Sequence, residues 1–430
     1  MLMLVFFIGL LLLLLALGVP VFISIGFTSL VVLAAQNGIM NIPFELLALN
    51  MMNGINSFSL LAIPFFVLAA NIMNTGSTTN RIFDFANAVV GHFRGGLGHV
   101  NVVASMIFAG MSGTAVADAA GLGQLEIKAM TDAGYDLKFS TGITGASSVI
   151  GPIIPPSVGM IIYGWLSDVS IGGLFIGAII PGVLMGLFMM VMIYIWAYKE
   201  KMPRQSKATL NKILAYSKAA FLPVLTPVII VGGIWSGIFS PTESGAVASI
   251  YAIFLGMVVY RDVSFKQLLG IFKITIEFTA MILIIISAAM LYAWLLIRLR
   301  IPFVIAEGLI GISSAPIVIL FLLGIFFLIV GCFMSVVESV IIFTPILGPM
   351  VVQVGIDPLF FGVFMVITLS IGVVTPPFGN VLFVLTRITK LPFEQVVRAI
   401  LPFILPIFVV IVLIIFFPGL TTFLPSLWGW

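Results

Sequence analysis

Apolar runs of about 20 residues, long enough to cross a ~30 Å hydrocarbon core, recur from one end of the chain to the other. The charged residues sit almost entirely in the short segments between them. Of the 430 residues, 62% are hydrophobic and 8% charged, whereas a soluble domain carries about 25% charged residues. With a mean hydropathy of +1.31, the chain has too little polar surface to coat a water-facing globule. It reads as an all-α polytopic membrane protein. One cysteine, Cys332, rules out an internal disulfide or a multi-cysteine metal site. The net charge of +3 is spread over short loops, which speaks of membrane topology rather than of a nucleic-acid partner. The apolar start, Met1 to Ala16, lacks the cationic region of a signal peptide, since the first basic residue is Arg81. It is expected to be a retained helix.

Set against itself at an offset of 221 residues, the sequence repeats without a gap. Pro20 falls on Pro241, Gly110 on Gly331, Gly134 on Gly355 and Asp136 on Asp357. Ile150-Gly151 falls on Ile371-Gly372, Pro155-Pro156 on Pro376-Pro377, and Pro181 on Pro402. Shared apolar letters mean little in such a chain, but Gly, Pro and Asp have specific backbone roles. Residues 1–198 and 219–430 are therefore expected to be two repeats joined by a connector, 199–218.

Each half divides in the same way. The apolar stretch Met3 to Ala35 would span about 50 Å as one helix, so Gly18-Val19-Pro20 is expected to split it. An interfacial arm (42–54, then 263–275) and a span (57–75, then 278–297) follow. Next comes a helix pair interrupted by Gly and Ser, about 97–130 and 316–352, whose polar outer flanks predict a re-entrant hairpin. A span broken by the double proline (137–166, then 358–388) and a last helix (171–198, then 395–418) complete each half. Five net crossings per half require the two repeats to be inverted. With the Lys/Arg-rich connector inside, all of the 18 cations except Arg298 and Arg300 fall on the cytoplasmic side. Both termini are then external, the first hairpin opens inward and the second outward.

Inverted repeats with interrupted helices mark secondary transporters, whose sites form where backbone carbonyls leave helical bonding. Irregular backbone at membrane depth is tolerated only where it is buried in protein or lines a cavity. Two such places occur per half. The tip Gly110-Met111-Ser112-Gly113-Thr114 pairs with the break Ser147 to Ser157, and the tip Gly331 to Ser335 pairs with the break Thr368 to Asn380. Gly frees carbonyls and Pro removes donors, leaving oxygens for a hard cation. Neither site is rich in carboxylates, which suits sodium better than calcium. Helix N-termini at the breaks would favour an anion. The competing reading is that these residues only kink helices for packing. Two intramembrane acids, Asp118 and Glu338, follow the tips; each could bind a cation, carry a proton or simply cap its helix. Glu126 with Lys128, and Glu243, are expected near the interface, and Cys332 is expected to pack. His92 and His99 flank a loop. The sequence has no catalytic Ser/His/Asp set, metal-ligand cluster or phosphate-binding loop, so neither an enzyme nor an ATP-driven pump is indicated, and no organic cofactor.

The stretches LLAIPFFVLAANIMNTG (60–76), GMSGTAVADAAGLGQLEIKAM (110–130), GPIIPPS (151–157) and GIDPLFFGVFMVITLSIGVVTPPFGN (355–380) resemble the large membrane subunit of tripartite ATP-independent periplasmic (TRAP) transporters. The resemblance covers essentially the whole chain, and its wording is nearest the sialic acid branch. It implies a sodium-coupled importer of an organic acid anion in the bacterial inner membrane, with C4-dicarboxylates and keto acids as alternatives to sialic acid. It also implies a scaffold with an elevator-type transport domain, a small four-helix membrane subunit, a periplasmic substrate-binding protein and surrounding lipid. Carried over residue by residue, the first sodium site would use Ser105, Ser147, Ile150 and Pro152, beside Ser112 of the tip and Gly151 of the break. The second would use Gly331, Gly372, Thr375 and Phe378, beside Ser335. Ser112, Thr114, Ser148 and Asn380 are the substrate candidates. A stand-alone sodium/dicarboxylate symporter and a proton/cation antiporter of similar fold are the nearest rival readings.

Overall fold

The computed structural model describes residues 2–200, 202, 204, 206–313 and 315–430. Lys201 of the connector, one of the cations used to orient the chain, lies outside the described residues. The fold is all-helical, with no β-strand among the described residues. Seven helices there are long and apolar enough to cross a membrane: Phe58–Thr75, Ile171–Lys199, Leu210–Trp235, Pro241–Val259, Phe265–Arg298, Val336–Gln353 and Phe393–Phe416. The first apolar stretch is two shorter helices, Leu2–Ala16 and Val21–Asn37, parted at Gly18 with φ +77°.

Residues 221 apart perform the same backbone task. Asp136 and Asp357 each cap the helix that follows, their carboxylates accepting from Phe139 N at 3.3 Å and Phe360 N at 2.7 Å. Such a cap satisfies a donor the helix leaves unpaired. Gly134 and Gly355, two residues earlier, both take positive φ, +85° and +73°. Pro155-Pro156 and Pro376-Pro377 are both cis. The first broken helix is Leu137–Ser148 followed by Val158–Ser167, and the second is Pro358–Gly372 followed by Asn380–Thr389. The first hairpin is Gly96–Ser112, a turn at Gly113-Thr114, then Ala115–Ala120 and Leu122–Asp132. The second is Pro316–Gly331, a turn through Cys332 to Met334, then Val336–Gln353.

Two features differ from the sequence expectation. The stretch 263–275 is not a separate arm, because Phe265–Arg298 is one continuous 34-residue helix. In the first half Asn56-Ser57 ends the corresponding helix, Phe44–Ile55; the residues in register are Glu277-Phe278, which carry no breaking signal. The polar flanks between span and hairpin, for which no helix was expected, hold one in each half, Thr78–Val90 and Ile301–Ile312. The first of these buries Ile82, Phe83 and Ala86 on one face, the spacing of an amphipathic helix. The halves also meet directly: the buried Tyr163 hydroxyl, on the second limb of the first broken helix, donates to Pro358 O at 2.7 Å.

Candidate functional site

The first hairpin and the first broken helix are joined by a chain of buried polar groups. Ser105 Oγ donates to Ser147 Oγ at 3.2 Å, and Ser147 Oγ donates to Asn101 Oδ1 at 2.7 Å. Asn101 Nδ2 in turn donates to Thr144 Oγ1 and to Glu126 Oε2, each at 2.7 Å. Asn101, Ser105, Thr144 and Ser147 are almost entirely shielded from solvent. Glu126, expected near the interface, is buried inside the protein at 1% exposure. Its helix lies against both Leu137–Ser148 and Gly96–Ser112, and the second of these supplies its donor through Asn101.

At the first tip, Gly113 takes φ +65°, and a Cβ there would meet Pro156 O at 2.8 Å. A Cβ on Gly151 would meet Thr114 O at 2.9 Å and Ser148 O at 3.1 Å. Backbone thus packs on backbone where tip and break meet, and only glycine leaves room. Thr114 caps the short helix beyond the tip, accepting from Ala117 N at 3.2 Å. The Ser112 hydroxyl is buried without a hydrogen-bond partner. Ile150 is wholly buried. Ser148 turns back onto its own helix, donating to Gly145 O at 2.8 Å.

The second tip and break meet even more closely. Gly331 and Gly372 touch backbone to backbone: a Cβ on Gly331 would lie 2.8 Å from Leu369 O and 3.0 Å from Gly372 Cα. Phe378 N donates across to Cys332 O at 3.2 Å. The Thr375 hydroxyl bonds back to Gly372 O at 3.0 Å and sits 3.2 Å from Cys332 Sγ. Phe378 is exposed, its ring 5.9 Å from that of Phe333. Ser335 and Glu338 form a reciprocal cap: Ser335 N donates to Glu338 Oε2 at 3.0 Å, and Glu338 N to Ser335 Oγ at 3.4 Å. Glu338 therefore holds the start of its helix.

A cavity of about 480 Å³ lies where the two tips and the two breaks converge. Ser112, Thr114, Pro152, Ser335, Glu338 and Asn380 line it. So do Asn71 and Asn74 of the Ala62–Thr75 helix, together with an apolar wall that includes Phe278 and Ile282. Ser148, named as a substrate candidate, is not part of the lining. The lining contains no Lys or Arg. Four helices start at this cavity, at Ala115, Val158, Val336 and Asn380, and each N-terminus presents backbone N–H groups and a partial positive charge. Backbone is thus the source of positive partial charge in the lining, set against the one carboxylate there, Glu338. Asn71 and Asn74 were not singled out in the sequence. Two amides three residues apart on an otherwise apolar helix lie on one face, and that was the available signal.

Residues 8–420 match the family described as "Tripartite ATP-independent periplasmic transporter, DctM component". The chain belongs to this family. It is 43% identical over 410 residues to the "Sialic acid TRAP transporter large permease protein SiaM" of Vibrio cholerae, covering 95% of each chain. It is 41% identical to the "Sialic acid TRAP transporter permease protein SiaT" of Haemophilus influenzae, with 95% of this chain and 66% of that one covered. The C4-dicarboxylate large permease DctM of Pseudomonas aeruginosa is 37% identical over 89% of this chain and 90% of its own. Among solved structures, the YdaH transporter of Alcanivorax borkumensis, described as having an unusual topology, superposes with a TM-score of 0.66. It covers 96% of this chain and 97% of its own at 14% identity, a likeness of fold alone. As a multi-pass member of a transporter family whose relatives are named permeases, the chain is a membrane transport protein.

Proposed function

We propose that this DctM-family chain is the large membrane subunit of a sodium-coupled importer that carries a small organic acid anion across the bacterial inner membrane. The observation that carries the reading is the cavity at which both hairpin tips, both helix breaks and four helix N-termini meet without a lysine or arginine. Such a site suits an anion whose charge is balanced by helix termini and co-bound cations rather than by a fixed basic side chain. Sialic acid is the favoured substrate, in keeping with the names of the two relatives at 41–43% identity.

Sodium ions are placed at the two tip–break contacts. Ser105, Ser147, Ile150, Gly151 and Pro152, with Ser112, serve the first; Gly331, Gly372, Thr375 and Phe378, with Ser335, serve the second. Binding there holds each tip against its break and so completes the anion cavity between them. The loaded transport domain then moves as an elevator against the scaffold. A small four-helix membrane subunit and a periplasmic substrate-binding protein complete the system, in keeping with the family's description as tripartite and periplasmic. Both termini face the periplasm in this arrangement. Glu338 is occupied in a helix cap, which leaves it poorly placed as the moving acid of a proton antiporter.

The test is uptake of labelled sialic acid into proteoliposomes that hold this chain with its small subunit, with and without the binding protein. Uptake that needs the binding protein supports the tripartite reading. Uptake at the same rate without it indicates a stand-alone symporter instead.

A further inference from the structure

Two acids stand inside the first hairpin with no counter-charge. Asp118 and Glu126 are each 1% exposed. Of their four carboxylate oxygens, one, Glu126 Oε2, accepts a hydrogen bond, from Asn101. Asp118 Oδ1, Asp118 Oδ2 and Glu126 Oε1 are buried with no hydrogen-bond partner. Ser105 is close enough to Asp118 to donate to it, and its hydroxyl is directed to Ser147 at 3.2 Å. The neighbouring donors are thus already committed: Ser105 to Ser147, Ser147 to Asn101, and Asn101 to Glu126 and Thr144. No Lys or Arg pairs with either acid among the described residues. Leaving two carboxylates uncompensated at this depth costs several kcal/mol for each ion.

The second half shows that hairpin packing does not require these groups. In register with Asn101, Ser105, Asp118, Glu126, Thr144 and Ser147 stand Leu322, Phe326, Ser339, Leu347, Met365 and Thr368. An almost apolar set holds the corresponding hairpin against the corresponding helix, through contacts such as Phe327 with Phe364. Packing alone therefore leaves the acids of the first half without a purpose, and an intramembrane acid marks a functional site by default.

We propose that Asp118 and Glu126 bind a sodium ion of their own beside the Ser105–Ser147 hydroxyl pair. The inference rests on the sodium-coupled reading above and adds a cation site to it. Three free carboxylate oxygens, with Ser105 as a ligand shared with the first tip–break ion, make a hard, all-oxygen donor set. Two carboxylates would also suit calcium; the assignment to sodium follows from the sodium-coupled reading, and the test below separates the two ions. The polar chain from Glu126 through Asn101 to Ser147 then connects this ion to the first tip–break contact, so that filling one site orders the ligands of the other.

The test is equilibrium binding of radioactive sodium to the purified full-length chain, comparing wild type with Asp118→Asn, Glu126→Gln and, as a control, Asp132→Asn, an exposed acid at the end of the same hairpin. Both test substitutions keep shape and remove charge, and monodisperse elution reports folding independently of sodium. Each test variant is expected to lose one sodium ion per chain at saturation, while Asp132→Asn keeps the wild-type count. If one variant fails to fold, the other decides. An unchanged count in a folded Asp118→Asn or Glu126→Gln chain overturns the site and leaves the acids neutralised by protons. Calcium binding that displaces sodium and is lost in the same variants overturns the monovalent assignment. Should wild type itself bind no sodium, the preceding reading fails as a whole, an outcome distinct from a wild-type count that the variants merely match.

Discussion

The tightest contact of the proposed second sodium site predicts the effect of a single methyl group. In Gly372→Ala the added Cβ would lie within 3.0 Å of the carbonyl carbon, Cα and oxygen of Gly331, against an ordinary contact of 3.4 Å or more. All three atoms belong to backbone, so no side chain can swing aside, and the tip has to leave the break. Overpacking of this kind costs about 1–3 kcal/mol. The chain relieves that strain by populating a state in which the tip stands off and the sodium oxygens no longer converge. Sodium must then supply the same free energy to bring the tip back, which lowers its apparent affinity by roughly 5- to 150-fold. The assay is a sodium titration of uptake in the reconstituted system, paired with a sodium titration of the melting temperature of the purified chain. Gly151→Ala provides a graded comparison: its nearest neighbours, Thr114 O at 2.9 Å and Ser148 O at 3.1 Å, are also backbone but stand farther from the added Cβ than those of Gly372. Gly232→Ala is the control, since a Cβ there meets nothing within 4 Å on a helix; it should be neutral or stabilising by up to about 1 kcal/mol. A sodium midpoint for Gly372→Ala within about threefold of wild type, or an effect smaller than that of Gly151→Ala, would refute the reasoning.

The other predictions concern side chains. Ser147→Ala removes the hydroxyl that donates to Asn101 Oδ1, leaving a buried acceptor unpaired at a cost of about 1–3 kcal/mol; a fall in melting temperature together with weaker sodium stabilisation is expected. Glu338→Gln should keep the helix cap and retain uptake with an unaltered pH profile, because Gln serves at that position of a capping box, whereas Glu338→Ala should lose about 1 kcal/mol of stability. A changed pH profile in Glu338→Gln would instead make this acid part of the transport cycle. Tyr163→Phe deletes the 2.7 Å bond to Pro358 O and should cost about 1 kcal/mol in thermal unfolding.

Much of the architecture is legible in the sequence because it rests on residues whose backbone roles are local. Asp136 and Asp357 cap helices through their own side chains, and Gly134 and Gly355 take positive φ wherever the rest of the chain lies. The tips and breaks follow from the same kind of punctuation. What the sequence hides arises from encounters between distant elements. Glu126 reads as an interfacial acid because Lys128 is nearby in the chain, yet its donor comes from Asn101 on another helix. Ser148 and Thr114 both look like cavity hydroxyls; helix phase turns the first inward to Gly145 O and leaves the second at the cavity. The continuous helix Phe265–Arg298 was obscured by analogy with the first half, where Asn56-Ser57 ends a helix that Glu277-Phe278 lets run on.

The central claim is that sodium completes the anion site, and the direction of the sodium gradient tests it most directly. Labelled sialic acid uptake would be followed into proteoliposomes holding the two membrane subunits, with the binding protein outside. Sodium would be supplied outside only, or equally on both sides, or replaced by potassium. Accumulation above the external concentration with the inward gradient, equilibration with sodium on both sides, and no uptake in potassium is the predicted result. Accumulation that proceeds equally in potassium would contradict the account.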